Sequence, residues 1–262
     1  MKKSSFYWSM LKYSIVHPIE IIEIIKISKD VKNDKNSITN YEINSNIKEG
    51  LKKLFGEDTE INNKNDLLKL KEFLVGKIKE LEREEFPSKK KPYPIDYSLN
   101  DKEGEVLYQI CKIIKPKIVV ETGVAYGISS AHILLSLKNN QKGKLYSIDG
   151  TFRPWETKEM IGSIIPDHLK NKWDLIFGKS KKKLEGILFK LEEIDIFFHD
   201  SLHTYKNMIF EFETVWPHIK KGGLLISDDI VSNCAFDDFC KKKKLTPVLF
   251  GENQWSLGIV MK

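Results

Sequence analysis

Short apolar runs alternate with helical patterns through the second half of the chain. Five of these runs are each followed by a stretch with helical spacing, which is typical of the parallel strands of a doubly wound α/β sheet. The runs are Lys117–Val120, Lys144–Asp149, Trp173–Phe177, Ile194–Phe198 and Gly222–Ile226. Two further runs, Pro247–Phe250 and Trp255–Met261, are joined by four residues that leave no room for a helix. They predict a C-terminal antiparallel hairpin.

The first of these runs leads into a loop that contains two glycines. Residues 119–130 read V-V-E-T-G-V-A-Y-G-I-S-S, and Glu121 ends the strand. Gly123 and Gly127 follow at E-x-G-x-x-x-G spacing, before a helical run that begins at Ser129. Glycine lets the backbone approach a ligand closely, and the helix that follows points free N–H groups toward it. The pattern predicts a site for a nucleotide-type ligand, with an ordinary tight strand-to-helix turn as the alternative.

Two later motifs resemble one branch of a known enzyme family. H-D-S-L-H-T-Y at His199–Tyr205 and W-P-H-I-K-K-G-G-L-L-I-S-D-D-I at Trp216–Ile230 are similar to motifs of magnesium-dependent small-molecule O-methyltransferases. That branch includes macrolide-sugar and cephalosporin-pathway enzymes. Five helix-separated strands closed by a hairpin also resemble the class I S-adenosylmethionine-dependent methyltransferases.

The resemblance covers residue 95 to the C-terminus and implies a fold. The expected fold class is α/β, a Rossmann-like doubly wound seven-stranded sheet with a C-terminal antiparallel hairpin. Residues 95–262 would form the S-adenosylmethionine-dependent methyltransferase domain, and residues 1–94 a helical N-terminal extension and linker.

Acidic residues end several of the predicted strands. In the strand order of class I methyltransferases the first, fourth and fifth strands are neighbours, so Glu121, Asp200 and the pair Asp228-Asp229 would converge at one edge. Carboxylates that meet in one cleft repel one another unless a cation neutralises them, and such oxygen ligands suit Mg²⁺. The resemblance implies that Asp200, Asp228 and Asp229 hold Mg²⁺. It also implies that Asp200 and His203 are the catalytic residues, with His203 as the general base.

Each of these residues also has a structural interpretation. The aspartate pair fits the cap of a helix that starts near Val231. His203 lies where a helix is predicted to begin, and a single histidine there is often a packing or surface residue. His199 ends a strand and is expected to pack or to support Asp200.

The resemblance places S-adenosylmethionine over the loop between the two glycines. The ribose hydroxyls would bond Asp149, the acid that ends the second strand, although an Asp-Gly turn is the alternative role of that residue. The methionine end would lie near Glu121. The predicted cofactor-binding set is Glu121, Gly123, Gly127, Ser129, Asp149 and Ser180.

One position departs from the pattern of the related enzymes. They often carry an acid after the glycine that ends the third strand, where it accepts a hydrogen bond from the adenine amino group. This chain has Gly178-Lys179-Ser180 there, and lysine cannot accept that bond. Ser180 or backbone groups are therefore expected to contact the adenine.

The N-terminal third of the chain lacks strand signals and is highly charged. Apolar residues recur at helical spacing over Leu67–Phe86, and Pro87–Pro94 is typical of a linker. Residues 30–65 are rich in Asn, Lys, Asp and Ser and are expected to form a loop with a short helix at Ile47–Phe55. Three roles are open for this extension: covering the active site, forming a homo-oligomer, or neither.

Charge and composition argue against a nucleic-acid partner, a disulfide framework and a zinc site. A formal charge of +6, from 43 basic and 37 acidic residues, is small for 262 residues. Neither a basic face with exposed aromatics nor a reading module is evident, so no nucleic-acid partner is expected. Three cysteines form neither a disulfide framework nor a zinc spacing.

The apolar stretch near the N-terminus is interrupted by charges, and no small-residue cleavage site follows it, so no signal peptide is predicted. Residues 15–27 are too short and too charged to form a transmembrane segment. This leaves packing on the catalytic domain, which is preferred, or binding along a membrane surface. The protein is predicted to be cytoplasmic.

The combined prediction is Mg²⁺-assisted O-methylation of a hydroxyl on a sugar, a glycan or a small metabolite. A cation with open positions binds two neighbouring oxygens, which favours a vicinal diol as the acceptor. The alternatives are an NAD-type oxidoreductase, whose G-x-G-x-x-G turn is absent, and a non-catalytic partner-binding protein on the same scaffold.

Overall fold

A single mixed sheet organises the chain. The structure, a computed structural model, describes residues 11–34, 42–56, 64–95, 101–252 and 255–262. The strands are β1 Ile43–Asn44, β2 Ile118–Thr122, β3 Lys144–Asp149, β4 Trp173–Phe177, β5 Ile194–His199, β6 Ile219–Ser227, β7 Val248–Glu252 and β8 Trp255–Met261. Their order in the sheet is β1-β7-β8-β6-β5-β2-β3-β4. Strands β2 to β6 are parallel, whereas β8 is antiparallel to both β6 and β7.

All seven predicted strands are present, and β1 is an eighth that was not predicted. β1 pairs in parallel with β7, and the Asn44 side-chain amide donates to the Leu249 carbonyl oxygen at 2.7 Å. The expectation that the N-terminal third lacks strands was therefore wrong. Two residues are too few to show the alternation by which a strand is recognised in a sequence.

The principal helices flank the sheet or belong to the N-terminal extension. They are α1 Pro18–Asn33, α2 Ile47–Phe55, α3 Lys64–Glu82, α4 Asp101–Ile114, α5 Ile128–Asn139, α6 Ser180–Leu191, α7 Tyr205–Val215 and α8 Ala235–Lys243. The bounds predicted for α2 are confirmed. Asn46 caps its start by accepting the backbone N–H of Lys48, and Gly56 ends it at a φ of 77°. Among the described residues, no helix is both long and apolar enough to span a bilayer.

Helices cover both faces of the sheet. Neighbouring strand residues alternate between two apolar cores. Val119, Phe198 and Leu224 belong to the core on the side of α4 and α5. Val120, Phe197 and Leu225 belong to the core on the side of α6, α7 and α8. Burial on both faces is the rule for parallel strands and explains why these runs are so apolar.

The N-terminal extension shares the first of these cores. Leu51 of α2 and Leu74 of α3 are buried in it. The predicted linker also packs: the hydroxyl of Tyr126 donates to the Tyr93 carbonyl oxygen at 2.8 Å and accepts its backbone N–H at 3.2 Å. The domain boundary at residue 94 stays a prediction.

Candidate active site

The sheet order brings three strand ends together. Thr122 at the end of β2 pairs with His199 at the end of β5, and His199 pairs with Ser227 at the end of β6. The next residues continue the contacts, since the backbone N–H of Asp200 donates to the Thr122 carbonyl at 2.8 Å and that of Asp228 to the His199 carbonyl at 2.9 Å. The predicted convergence of the acidic strand ends follows from this register.

Asp200, His203 and Asp228 form one compact group. Each offers a ligand atom, and these atoms lie within 4.8 Å of one another. The predicted metal set was Asp200, Asp228 and Asp229, so the group in the structure has His203 in place of Asp229. Asp229 lies beside it, with Oδ2 at 3.5 Å from Nδ1 of His203.

The aspartate pair does not cap a helix. The next helix, α8, begins at Ala235, and residues 231–234 form turns and bends before it. Asp229 itself has a φ of 51°, a left-handed conformation that aspartate tolerates better than most residues. The cap interpretation is thereby excluded for both residues.

The half-buried Asp200 and the buried Asp228 favour protonation in the absence of a cation. Burial first, and then the neighbouring carboxylates, raise the pKa of both Asp200 and Asp228 well above the usual range. Oδ1 of Asp228 is buried without a hydrogen-bond partner among the described residues, and Asp228 is only 9% exposed. An unpartnered carboxylate oxygen among hard ligands fits a divalent cation such as Mg²⁺.

Glu103 is a further acid at this edge, and the sequence analysis missed it. It lies in the first turn of α4, is 5% exposed, and its charge adds to the effect of burial in raising the pKa of Asp228. An acid in the first turn of a helix usually indicates interaction with the helix dipole, so its position gave no signal of a site.

His203 is held neutral. Burial, followed by the neighbouring His199, lowers the pKa of His203 to about 3. Its Nε2 has no hydrogen-bond partner among the described residues and lies 3.9 Å from Oδ1 of Asp200. The helix begins two residues later than His203, at Tyr205, with Thr204 as its cap. His203 therefore has a ring nitrogen without a hydrogen-bond partner among the described residues.

A buried carboxylate, Glu211 of α7, supports this loop. Its oxygens accept hydrogen bonds from Thr122 at 2.6 Å and Ser201 at 2.8 Å, and Nδ1 of His199 lies 2.7 Å away. His199 is fully buried and packs here, as expected. Its support of Asp200 stays a prediction. Glu211 was not predicted, since an acid within a helical pattern is usually on the surface.

Both predicted glycines are required by the backbone. A Cβ at Gly123, where φ is 85°, would lie 1.8 Å from the carbonyl oxygen of Asp200. A Cβ at Gly127, where φ is 98°, would lie 2.6 Å from the Ile165 side chain. The glycine loop thus packs directly on the loop that carries the acidic group.

The Asp149 carboxylate holds the glycine loop by accepting hydrogen bonds from its backbone N–H groups. Its Oδ2 accepts the backbone N–H groups of Val124 and Ala125, each at 3.0 Å, and its Oδ1 accepts that of Gly150 at 2.7 Å. Burial raises the pKa of Asp149, and these three backbone donors oppose that shift. Residues 149–152 form no turn, so the alternative role of Asp149 in an Asp-Gly turn is not observed.

Glu121 is fully buried beneath the same loop. Its carboxylate accepts the hydroxyls of Ser129, Ser130 and Ser147, each at 2.6 Å. Burial raises the pKa of Glu121 to about 6, against the lowering effect of these donors, so the group is ionised at neutral pH. Glu121 and Ser129, both in the predicted cofactor set, bond each other and stabilise the loop.

Helix α1 runs along the carboxyl edge of the sheet. At one end Glu23 pairs with Lys179, which follows β4, and at the other Asp30 lies 2.5 Å from the Lys206 ammonium at the start of α7. Ser180, the remaining predicted cofactor residue, is half-buried at the first position of α6, beside Lys179. Of the open roles for the extension, these contacts match covering the site.

Comparison with known proteins identifies the fold. Residues 120–230 match the model of a family described as a methyltransferase domain. The O-methyltransferase from Bacillus cereus, solved in complex with S-adenosylhomocysteine (SAH), is 14% identical and covers 82% of this chain and 97% of its own, with a TM-score of 0.53. TomG from Streptomyces achromogenes, an O-methyltransferase of tomaymycin synthesis solved with SAM, is 13% identical over 82% of this chain and 96% of its own, with a TM-score of 0.53. The SAH-bound Podospora anserina methyltransferase PaMTH1 is 14% identical over 87% and 100%, with a TM-score of 0.51.

Residues 120–230 are thus similar to a methyltransferase domain, and the solved methyltransferases share the fold of this chain. The matched residues run from β2 to just after the aspartate pair, so they include the glycine loop and the whole acidic group. The predicted doubly wound α/β fold is confirmed, with its C-terminal hairpin, and it is the fold of these solved methyltransferases.

Proposed function

We propose that the chain is an S-adenosylmethionine-dependent O-methyltransferase that uses Mg²⁺ to methylate one hydroxyl of a vicinal diol on a sugar, a glycan or a small metabolite. The observation that carries the proposal is the compact group of Asp200, His203 and Asp228, which lies against the glycine loop of a methyltransferase domain. Structural neighbours solved with SAM or SAH support the choice of cofactor.

The glycine loop and its supports form the cofactor side of the site. S-adenosylmethionine supplies an electrophilic methyl group. The loop residues 123–127 would receive it, since Gly123 and Gly127 allow the positive φ angles that this loop requires and α5 begins directly after the loop. Asp149 accepts three backbone N–H groups, which leaves one lone pair of Oδ1 for a ribose hydroxyl. Ser180, at the first position of α6, is the expected contact of the adenine.

The acidic group forms the acceptor side. A bound Mg²⁺ supplies positive charge that favours ionisation of an acceptor hydroxyl. Asp200 and Asp228 are the carboxylates that would hold it, and Glu103 adds negative charge behind Asp228. Nε2 of His203 accepts the hydroxyl proton, and Asp229, which faces Nδ1, orients the ring. This assignment changes Asp229 from a metal ligand to an orienting group.

The charge state of His203 suits the role of base. An alcohol is a poor nucleophile because it holds its proton, and a positioned base contributes roughly 10²–10⁴-fold to rate. The neutral imidazole of His203 offers an unpartnered nitrogen for that proton. Because a pKa of about 3 makes it a weak base, the step requires a bound cation that lowers the pKa of the acceptor hydroxyl. A cytoplasmic location stays a prediction.

The acceptor class is tested with matched glycosides. Wild-type protein is incubated with S-adenosylmethionine, Mg²⁺ and either a glycoside with a vicinal diol or its deoxy analogue, and products are measured by mass spectrometry. We expect one added methyl group on the diol and none on the analogue. Equal methylation of both would contradict the two-oxygen arrangement, and methylation of nitrogen would contradict the reaction class.

A further inference from the structure

Glu211 lies at the junction of three segments that meet below the acidic group. It is fully buried in the middle of α7. Its partners are Thr122 at the end of β2, His199 at the end of β5, and Ser201 in the loop that follows. A fully buried carboxylate is costly unless its oxygens are satisfied, so this arrangement fixes all three segments to one point.

The contacts of Glu211 and of its neighbour Asn207 lie next to Asp200 and His203 in the loop. His199 and Ser201 lie on either side of Asp200. Asn207, one turn before Glu211 on α7, donates to Oε1 of Glu211 at 3.1 Å and to the Leu202 carbonyl at 3.1 Å, next to His203. The loop from 199 to 203 is thereby held at three positions. These are residue 199 before Asp200, residue 201 between Asp200 and His203, and residue 202 next to His203.

The charge of Glu211 suits an anchor. Although burial acts to raise its pKa, His199 and the hydrogen-bond donors act against burial, and the net effect lowers the pKa of Glu211 to about 2. The carboxylate is therefore ionised at neutral pH and accepts hydrogen bonds. The His199 ring that it holds packs edge-on against the His203 ring, with centroids 5.2 Å apart.

We propose that Glu211 is a positioning residue, which holds His199 and Ser201 so that Asp200 and His203 meet the divalent cation and the acceptor in one geometry. The inference rests on the proposed function. It predicts that Glu211 controls cation binding and turnover while leaving the cofactor side of the site unchanged.

The test compares Glu211→Gln with Glu213→Gln. Both residues are glutamates of α7, but Glu213 forms ion pairs with Lys242 and Lys243 on the surface. Binding of Mn²⁺, a substitute for Mg²⁺, is measured by electron paramagnetic resonance, and SAH affinity by calorimetry. We expect Glu211→Gln to weaken Mn²⁺ binding at least tenfold and to lower kcat, with SAH affinity within twofold of wild type. Glu213→Gln should match the wild type in all three.

Each other outcome is decisive. If Glu211→Gln binds Mn²⁺ and turns over as the wild type does, Glu211 has no positioning role. If it loses SAH and Mn²⁺ binding together while remaining folded, its role is general support of the fold and the inference fails. If it does not fold, Ser201→Ala removes one anchor alone and should weaken Mn²⁺ binding without weakening SAH binding; an unchanged Mn²⁺ affinity there would overturn the inference. A wild type that binds no Mn²⁺ would overturn the cation part of the proposed function as well.

Discussion

Gly123 lies at the contact between the glycine loop and the loop that carries Asp200. A side chain there would collide with the carbonyl oxygen of Asp200, and the φ of 85° is unfavourable for any residue with a Cβ. We expect Gly123→Ala to lower the melting temperature and to weaken SAH binding at least tenfold, about 1.4 kcal/mol. Calorimetry and thermal unfolding measure both effects.

Gly186 provides the matched control for that substitution. It lies inside α6, and a Cβ there meets nothing within 4 Å. Gly186→Ala should therefore stabilise the protein by up to ~1 kcal/mol through helix propensity and leave SAH affinity unchanged. Equal behaviour of the two variants would show that the contact between the loops is unimportant.

His203→Ala separates a base from a packing residue. Loss of a general base should lower turnover by roughly 10²–10⁴-fold and leave SAH affinity nearly intact, because a base acts on the acceptor in the transition state. A variant that is stable and fully active would remove His203 from the mechanism.

The pH dependence of turnover tests the charge state of His203. The sequence alone suggests an ionisation near neutrality, but burial lowers the pKa of His203 to about 3. Since only the neutral ring accepts a proton, His203 should limit turnover only as pH falls toward about 3. Turnover measured between about pH 5 and 8 should show no limb from this residue. A neutral limb that His203→Ala abolishes would contradict the burial of the ring.

Asp228 should make cation-free protein less stable as pH rises. Its pKa is raised in the folded state, so its contribution to stability is fully present below the unfolded value of about 3.9 and is lost as pH rises through the folded value. Without cation at neutral pH, Asp228→Asn should melt at a higher temperature than wild type, and the difference should shrink toward pH 4. Thermal unfolding in EDTA across this range measures it. A lower melting temperature for the variant at every pH would show that Asp228 is stabilising as an anion.

Helix α1 is the element most weakly attached to the domain. Within the part of the chain that the structure describes, none of its residues is buried, and Ile19 is 73% exposed. Exposed ion pairs such as that of Asp30 with Lys206 contribute only about 0.2–1 kcal/mol each. The first ten residues of α5, by contrast, are all buried.

Hydrogen exchange should therefore be much faster for the amides of α1 than for those of α5. We expect the amides of α1 to exchange by local opening well before those of α5, which should open only with the whole domain. Mass spectrometry of exchanged peptides measures both in one sample. Equal protection of α1 and α5 would contradict a loosely attached cover over the carboxyl edge.

Elements with a strong local signal were predictable from sequence, and those fixed by tertiary contacts were not. The bounds of α2 follow from Asn46 and Gly56, which are recognisable as a cap and a terminator. β1 exists because β7 offers a free edge, and nothing in Ile43–Asn44 itself indicates a strand. Glu103 and Glu211 were missed for the same reason, because their roles depend on which strand ends their helices pack against.

At the scale of the whole molecule, the strand order explains why distant motifs form one site. The glycine motif near residue 123 and the aspartate motifs near residues 200 and 228 meet because β2, β5 and β6 are neighbours. That order was implied by family resemblance and not by the apolar pattern, which fixes strands but not their neighbours. The contact partners of Asp229 and Glu121 could not be predicted from the sequence and are known only from the structure.

The cation requirement of methyl transfer tests the account most directly. Release of SAH is measured with wild type and with Asp228→Asn, in EDTA and across a Mg²⁺ titration, using an acceptor that the wild type methylates. The account predicts no turnover in EDTA, full recovery with Mg²⁺ in the wild type, and a higher Mg²⁺ requirement in Asp228→Asn because an anionic ligand is lost. Full turnover of the wild type in chelator would contradict a cation-assisted mechanism.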